Sequence, residues 1–285
     1  MRQSSLKNIV VLNLAMLFLS TSGPFGRYVD MSPPLTIFWR SAPAALLLLI
    51  LCRALGFPLT LSSPQDRRTL LLGGFLMGVH WVTYFYALRW SNVAIGMLSL
   101  FTYPVLTAFL EPLILKTPFR RIHILLGFMM LIGVYFLVPD FNLSGSDTKA
   151  IGMGLLSSLA YSLRNILMKK PIAQYNGLVL MLYQILVVIA LLFPIFLLQG
   201  PGPIQTQWPG ILGLALLTTV IGHTLFLSSF RHLSITTASI LSCVQPILGI
   251  IIAAIFLKEY PVGSTYIGGS IILLAVLIEV SQKKR

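Results

Sequence analysis

Four ionisable side chains stand out inside the long apolar stretches of this sequence: Arg40, His80, Glu111 and His223. In hydrocarbon an arginine costs about 2.5–3.5 kcal/mol on insertion scales, so it faces a bundle interior or water. Arg40 stands about one and a half turns into its run, close enough to an interface to snorkel instead. Facing inward, it can hold a carboxylate or phosphate through forked hydrogen bonds. Glu111 is the one acidic residue well inside an apolar run. It is a candidate for proton coupling, or for an ion pair with Arg120 or Arg121. His80 and His223 are charge switches near neutral pH or hydrogen-bonded structural histidines. Tyr84, Tyr103, Asn165 and Gln245 add neutral hydrogen-bonding groups at similar depths, and Tyr161, Tyr183 and Gln184 extend the same expected polar interior. Arg40, His80, Tyr84, Tyr103, Asn165, His223 and Gln245 are therefore the candidate substrate-binding residues.

The elements that must carry these groups follow from composition. Of 285 residues, 56% are hydrophobic and 9% charged, with a mean hydropathy of +0.90. Soluble domains carry about 25% charge, so lipid is the expected solvent. Ten runs are long enough to span a bilayer at about 17–25 residues each: 8–26, 35–54, 69–88, 93–115, 122–138, 151–168, 178–198, 209–230, 235–257 and 263–280. Arg2 and Lys7 before the first run, and Ser20-Thr21-Ser22 after it, faintly resemble a signal peptide. A retained helix is expected, because cleavage leaves nine spans and breaks the repeat below. Trp39, Trp90 and Trp208 read as interfacial anchors.

The net charge of +13 comes mostly from short clusters between spans, which reads as orientation and contact with anionic lipid rather than nucleic-acid binding. With the N-terminus cytoplasmic, fifteen basic residues fall inside, Arg164, Lys169, Arg231 and the last three residues among them. Arg27, Arg89, Lys149 and Lys258 fall outside, and Arg40 lies within a span. Both termini are then cytoplasmic and the span number is even.

An offset of 142 residues aligns Arg89 with Arg231, Pro104 with Pro246, Lys116 with Lys258 and Gly127 with Gly269. Five spans per half is an odd number, so the second half is inverted, as in many secondary transporters with a midplane site between the halves. Pro104 and Pro246 are expected to kink spans four and nine, either facing a cavity or as tolerated kinks. Gly74 and Gly78, Gly152 and Gly154, and Gly268 and Gly269 offer close helix packing, or surfaces on which one bundle slides. Cys52 and Cys243 are isolated packing residues, and no metal-ligand spacing or cofactor motif occurs.

Two segments carry a resemblance to a family. One runs from Ala87-Leu88-Arg89 to Phe101-Thr102-Tyr103-Pro104. The other runs from Phe230-Arg231 to Val244-Gln245-Pro246, followed by Leu257-Lys258-Glu259 and a glycine-containing last span. With two five-span halves, the chain resembles the drug/metabolite transporter superfamily in its EamA-type branch. The resemblance implies an all-α membrane protein of ten transmembrane helices as two inverted five-helix repeats, over residues 1–140 and 150–285. It also implies alternating access and export or exchange of amino acids or similar metabolites, in a bacterial inner membrane. Its cavity is expected to be lined by helices one, three, four, six, eight and nine, which favours His80, Tyr84, Tyr103, Asn165, His223 and Gln245. The glutamate that ends the fourth helix of each half stands at Glu259 in the second half, but Thr117 takes that place in the first.

The leading expectation is a secondary carrier, not an enzyme, with lipid and a small-molecule substrate as partners, no cofactor, and a second copy of the chain as a further candidate partner. An intramembrane lipid-modifying enzyme needs its ionisable groups at one depth, and here they are scattered. A structural or assembly subunit needs no cavity at all.

Overall fold

The computed structural model describes residues 2–116, 119, 121–136, 145–233 and 235–282, and among them every regular element is a helix. The chain runs through α1 (Arg2–Ser20), α2 (Ser22–Tyr28), α3 (Pro33–Ala54), α4 (Pro64–Trp90), α5 (Val93–Leu100), α6 (Tyr103–Leu115), α7 (Ile122–Phe136) and α8 (Ser146–Leu167). After the short α9 (Pro171–Gln174) and α10 (Gly177–Gln199), α11 (Ile204–Gly213) passes through a π-helical stretch, Leu214–His223, into α12 (Thr224–Ser229). The last three are α13 (Ile235–Leu241), α14 (Val244–Phe256) and α15 (Gly263–Gln282). The ends are built by local rules. Pro33 and Pro64 occupy first-turn positions that need no donor. Ser63, Asn92 and Asn176 accept from the backbone N–H of Asp66, Ile95 and Leu178.

Among the described residues, five helices are long and apolar enough to cross a membrane: Pro33–Ala54, Pro64–Trp90, Val93–Leu115, Gly177–Gln199 and Ile204–Ser229. Shorter apolar helices accompany them. At 22 residues α8 is long enough, but its buried positions include Ser157, Ser158, Ser162, Arg164 and Asn165. It is polar on the inside, which lowers its hydropathy. Apolar side chains such as Leu113, Phe128, Leu198 and Phe256 cover the outside, a surface suited to lipid. Thr117, Arg120 and the end of the fifth expected span, 137–138, lie outside the described residues.

Inside, α4 packs on α8 and α10, α3 on α10, α5 on α14, α7 on α15, and α1 on the π-helical stretch. Small residues set the closest approaches. A Cβ on Gly74 meets the Cβ of Val187 at 2.6 Å, and one on Gly154 meets the Ser99 side chain, whereas Gly152 faces open space.

The proline positions differ from the expected mid-helix kinks. Spans four and nine each lose the regular α-helical pattern for two residues, 101–102 between α5 and α6 and 242–243 between α13 and α14. Pro104 and Pro246 sit in the first turn of the second segment, where a missing N–H is harmless. The break therefore precedes each proline.

Positions 142 apart do matching jobs. Lys116 and Lys258 are the two described non-glycine residues with positive φ, 57° and 59°. Arg89 Nη1 donates to Met31 O, while Arg231 donates to Ile172 O and Tyr175 O. Arg27 Nη1 reaches Arg89 O, and its counterpart Lys169 reaches Phe230 O and Leu233 O.

Candidate functional site

The first helix break, the start of α14 and the π-helical stretch meet at one narrow cavity of about 30 Å³, room for a water or two. Its wall includes His80, Trp81 and Tyr84 from α4, Phe101 and Tyr103 from the first break, Tyr161 from α8, His223 from the π stretch and Gln245 from α14. Five of the seven expected binding residues, His80, Tyr84, Tyr103, His223 and Gln245, thus come together. Arg40 and Asn165 stand behind that wall.

The wall is tightly ordered. Trp81 Nε1 donates to His223 Nε2 at 3.2 Å. Ser157 Oγ gives its single proton to His80 O at 2.8 Å, so at 2.7 Å the His80 Nδ1 must donate to Ser157. The His80 ring stacks on Tyr161, centroids 4.2 Å apart. Tyr103 bonds Ser242 through its hydroxyl, tying the first break to the second. Its carbonyl accepts from Ser162 Oγ at 3.0 Å and Thr107 Oγ1 at 2.8 Å. Gln245 Nε2 reaches Met16 Sδ at 3.2 Å, linking α14 to α1.

Arg40 is fully buried, so the snorkelling alternative does not apply. Its Nε and Nη2 donate to Thr219 Oγ1 at 3.1 and 2.6 Å, and Nη2 also donates to Thr218 Oγ1 at 2.7 Å. The guanidinium lies 4.2 Å from the centroid of the Trp81 ring. Arg40 Nη1 has no hydrogen-bond partner. The π-helical turn brings two consecutive threonines onto one guanidinium; nothing in the sequence signals that turn.

Arg164 corrects the sequence reading. Grouped with the cytoplasmic cluster, it is instead wholly buried. Its Nε donates to Gln184 Oε1 at 2.7 Å and Nη1 to Asn165 Oδ1 at 2.9 Å. The signal was available: Arg164 lies within the span read as 151–168 and is followed by Asn165. Tyr183 also departs from expectation, since its hydroxyl bonds Leu59 O in the loop after α3, away from the cavity. Glu111, two turns beyond Tyr103, is partly buried and does not line the cavity. No cluster of three metal-ligand side chains occurs among the described residues.

At one end of the bundle two ion pairs close over the fold. Arg27 Nε meets Glu259 Oε1 at 2.7 Å, and Arg89 Nη2 meets Asp30 Oδ1 at 3.0 Å. The second oxygen of Glu259 accepts from Val93 N at 3.0 Å, at the start of α5.

Comparison with known proteins agrees with this arrangement. The EamA-like transporter family matches twice, over residues 6–138 and 148–280. The pseudopaline exporter CntI of Pseudomonas aeruginosa is 24% identical over 252 residues, spanning 87% of this chain and 86% of that protein. An uncharacterized transporter of Archaeoglobus fulgidus is 26% identical over 198 residues, 69% of this chain and 70% of the other. A solved crystal structure, 17% identical, superposes with a TM-score of 0.74 over 98% of both chains, which establishes a shared fold.

Proposed function

This chain belongs to the EamA-like transporter family, and we propose that it is a secondary carrier, an exporter or exchanger, moving a small metabolite such as an amino acid by alternating access through the cavity at Trp81 and His223. In this reading ten spans form two inverted five-helix repeats, 1–140 and 150–285, with both termini cytoplasmic in a bacterial inner membrane. Lipid surrounds the bundle, and no cofactor takes part.

One observation carries the proposal. Trp81 and His223 are 142 positions apart, the offset that maps one half onto the other, and they touch. A residue and its repeat mate can meet only beside the axis relating the halves. The cavity they line is therefore on that axis, where rocking of the halves opens it alternately to either side. At about 30 Å³ the cavity is far below the roughly 300 Å³ of a ligand pocket, so this form has no room for cargo. His80, Tyr84, Tyr103, His223 and Gln245 would contact cargo directly, with Arg40 and Asn165 behind them. Glu111 is better placed to act near the end of α6 than on cargo.

The test is counterflow of labelled amino acids and other small metabolites in proteoliposomes of the purified chain. His223→Ala and Gln245→Ala, folded by thermal unfolding, are expected to lower exchange at least tenfold. Wild-type rates in both would sink the site assignment. No exchange of any solute by the wild-type chain counts against a carrier.

A further inference from the structure

Arg40 and Arg164 both lie just behind the cavity wall, Arg40 against Trp81 and Arg164 bonded to Asn165 beside Tyr161. The first acts electrostatically on Tyr84 and the second on Tyr161, and both act on His80 and His223. All four of those residues line the cavity. Both arginines are entirely buried, yet every acceptor they bond is neutral. These are Thr218 and Thr219 for Arg40, and Gln184, Asn165 and the Met181 sulfur for Arg164. Both ion pairs among the described residues lie elsewhere, at the Arg27–Glu259 end. A buried charge is tolerated when it is paired, and hydrogen bonds to hydroxyls and amides orient a guanidinium without neutralising it. Two positive charges beside one cavity therefore lack a fixed counter-charge. Arg40 Nη1 is also a buried donor left without a partner.

We infer that the cargo supplies the missing charge: it is a small organic dianion, a dicarboxylate or a phosphate monoester, whose two charges are balanced by Arg40 and Arg164. This rests on the carrier reading and narrows it, since a neutral zwitterion adds no net negative charge and its one carboxylate can pair with only one of the arginines. In this narrow form each guanidinium is parked, Arg40 on the Trp81 ring and the threonines, Arg164 on Gln184 and Asn165. Opening the cavity exchanges these neutral partners for charged ones. Arginine suits both chemistries, because its planar fork matches carboxylate and phosphate oxygens.

The full chain in lipid nanodiscs is titrated with succinate, glycerol 3-phosphate, lactate and alanine while thermal unfolding is followed. Succinate, glycerol 3-phosphate or both are expected to raise the midpoint by several degrees, with lactate and alanine giving no shift. Which of the two acts tells dicarboxylate from phosphate ester. Arg40→Met and Arg164→Met are each expected to weaken the active dianion at least tenfold. Should a methionine variant not fold, Arg40→Lys or Arg164→Lys retains the charge and is expected to keep the preference for dianions over alanine. The inference is overturned if neither dianion stabilises the wild-type chain, if alanine or lactate stabilises it as well as the dianions do, or if the arginine variants bind the active dianion normally. Counterflow separates the two readings. Dianion binding without exchange of any solute fails the carrier and leaves the anion site standing, whereas exchange of alanine but of neither dianion does the reverse.

Discussion

Glu259 holds the end of the bundle where Arg27, Asp30 and Arg89 gather, and its removal has a calculable effect on opening there. One carboxylate oxygen pairs with Arg27 at 2.7 Å and the other accepts from Val93 N at 3.0 Å. The side chains of Arg27 and Glu259 are 35% and 23% exposed, so solvent screens the pair and it contributes about 0.5–1 kcal/mol. The bond at the start of α5, where an anion also meets the helix dipole, adds roughly another 0.5–1 kcal/mol. Glu259→Ala loses both, about 1–2 kcal/mol in all, which shifts a closed-to-open ratio about 5- to 30-fold. Glu259→Gln can keep the Val93 bond and loses the ion pair alone, so its shift is about two- to fivefold. The assay uses Ser22→Cys as a reporter on the cavity wall, in a background with Cys52 and Cys243 changed to serine. A membrane-impermeant maleimide is applied from the Glu259 side. Labelling is expected to rise in the order wild type, Glu259→Gln, Glu259→Ala, and high salt is expected to speed the wild type. An unchanged rate in Glu259→Ala refutes the latch.

Three further substitutions probe packing. Gly154→Ala pushes a Cβ into Ser99 while Gly152→Ala meets open space; the first is expected to cost about 1–3 kcal/mol and the second to gain about 0.5–1 kcal/mol of helix propensity, measured by thermal unfolding in detergent. Tyr103→Phe removes the hydroxyl that bonds Ser242 between the two helix breaks; a loss of about 0.5–1.5 kcal/mol is expected in the same assay, with a larger proportional loss in exchange, because that bond joins the halves beside the cavity.

Apolar run length made the helices legible, since a span must be apolar wherever it meets lipid. It was least informative for α8, whose polar face is buried and looks like a weak span. The same logic misplaced Arg164: counting basic residues by distance from a loop assumes that every arginine near a span end reaches water, and here Gln184 and Asn165 hold one inside. Arg40 was readable as intramembrane, but its partners depended on a π-helical turn with no sequence signature. His80 and His223 stand 143 positions apart, one step off the 142-residue offset. The true repeat mate of His223 is Trp81, and the structure places those two in contact. Long-range pairing of this kind is visible in a sequence only once the offset is applied residue by residue.

That offset also shows where the repeat stops being symmetric. Arg27 and Lys169, and Arg89 and Arg231, are mates, and all four brace a neighbouring connection through backbone carbonyls. Their carboxylate partners are not duplicated. The mate of Glu259 is Thr117, outside the described residues, and the mate of Asp30 is Ile172. One end is thus fastened by two ion pairs in addition to carbonyl contacts, whereas at the other end Arg231 and Lys169 bond carbonyls. Two inverted halves with identical latches favour neither opening. Adding carboxylates at one end lowers the closed state there by about 0.2–1 kcal/mol for each exposed pair, and over the described residues that difference favours opening at the Arg231 end, the cytoplasmic one in the proposed topology. An exporter that must first collect cargo from inside the cell needs a bias of that sign.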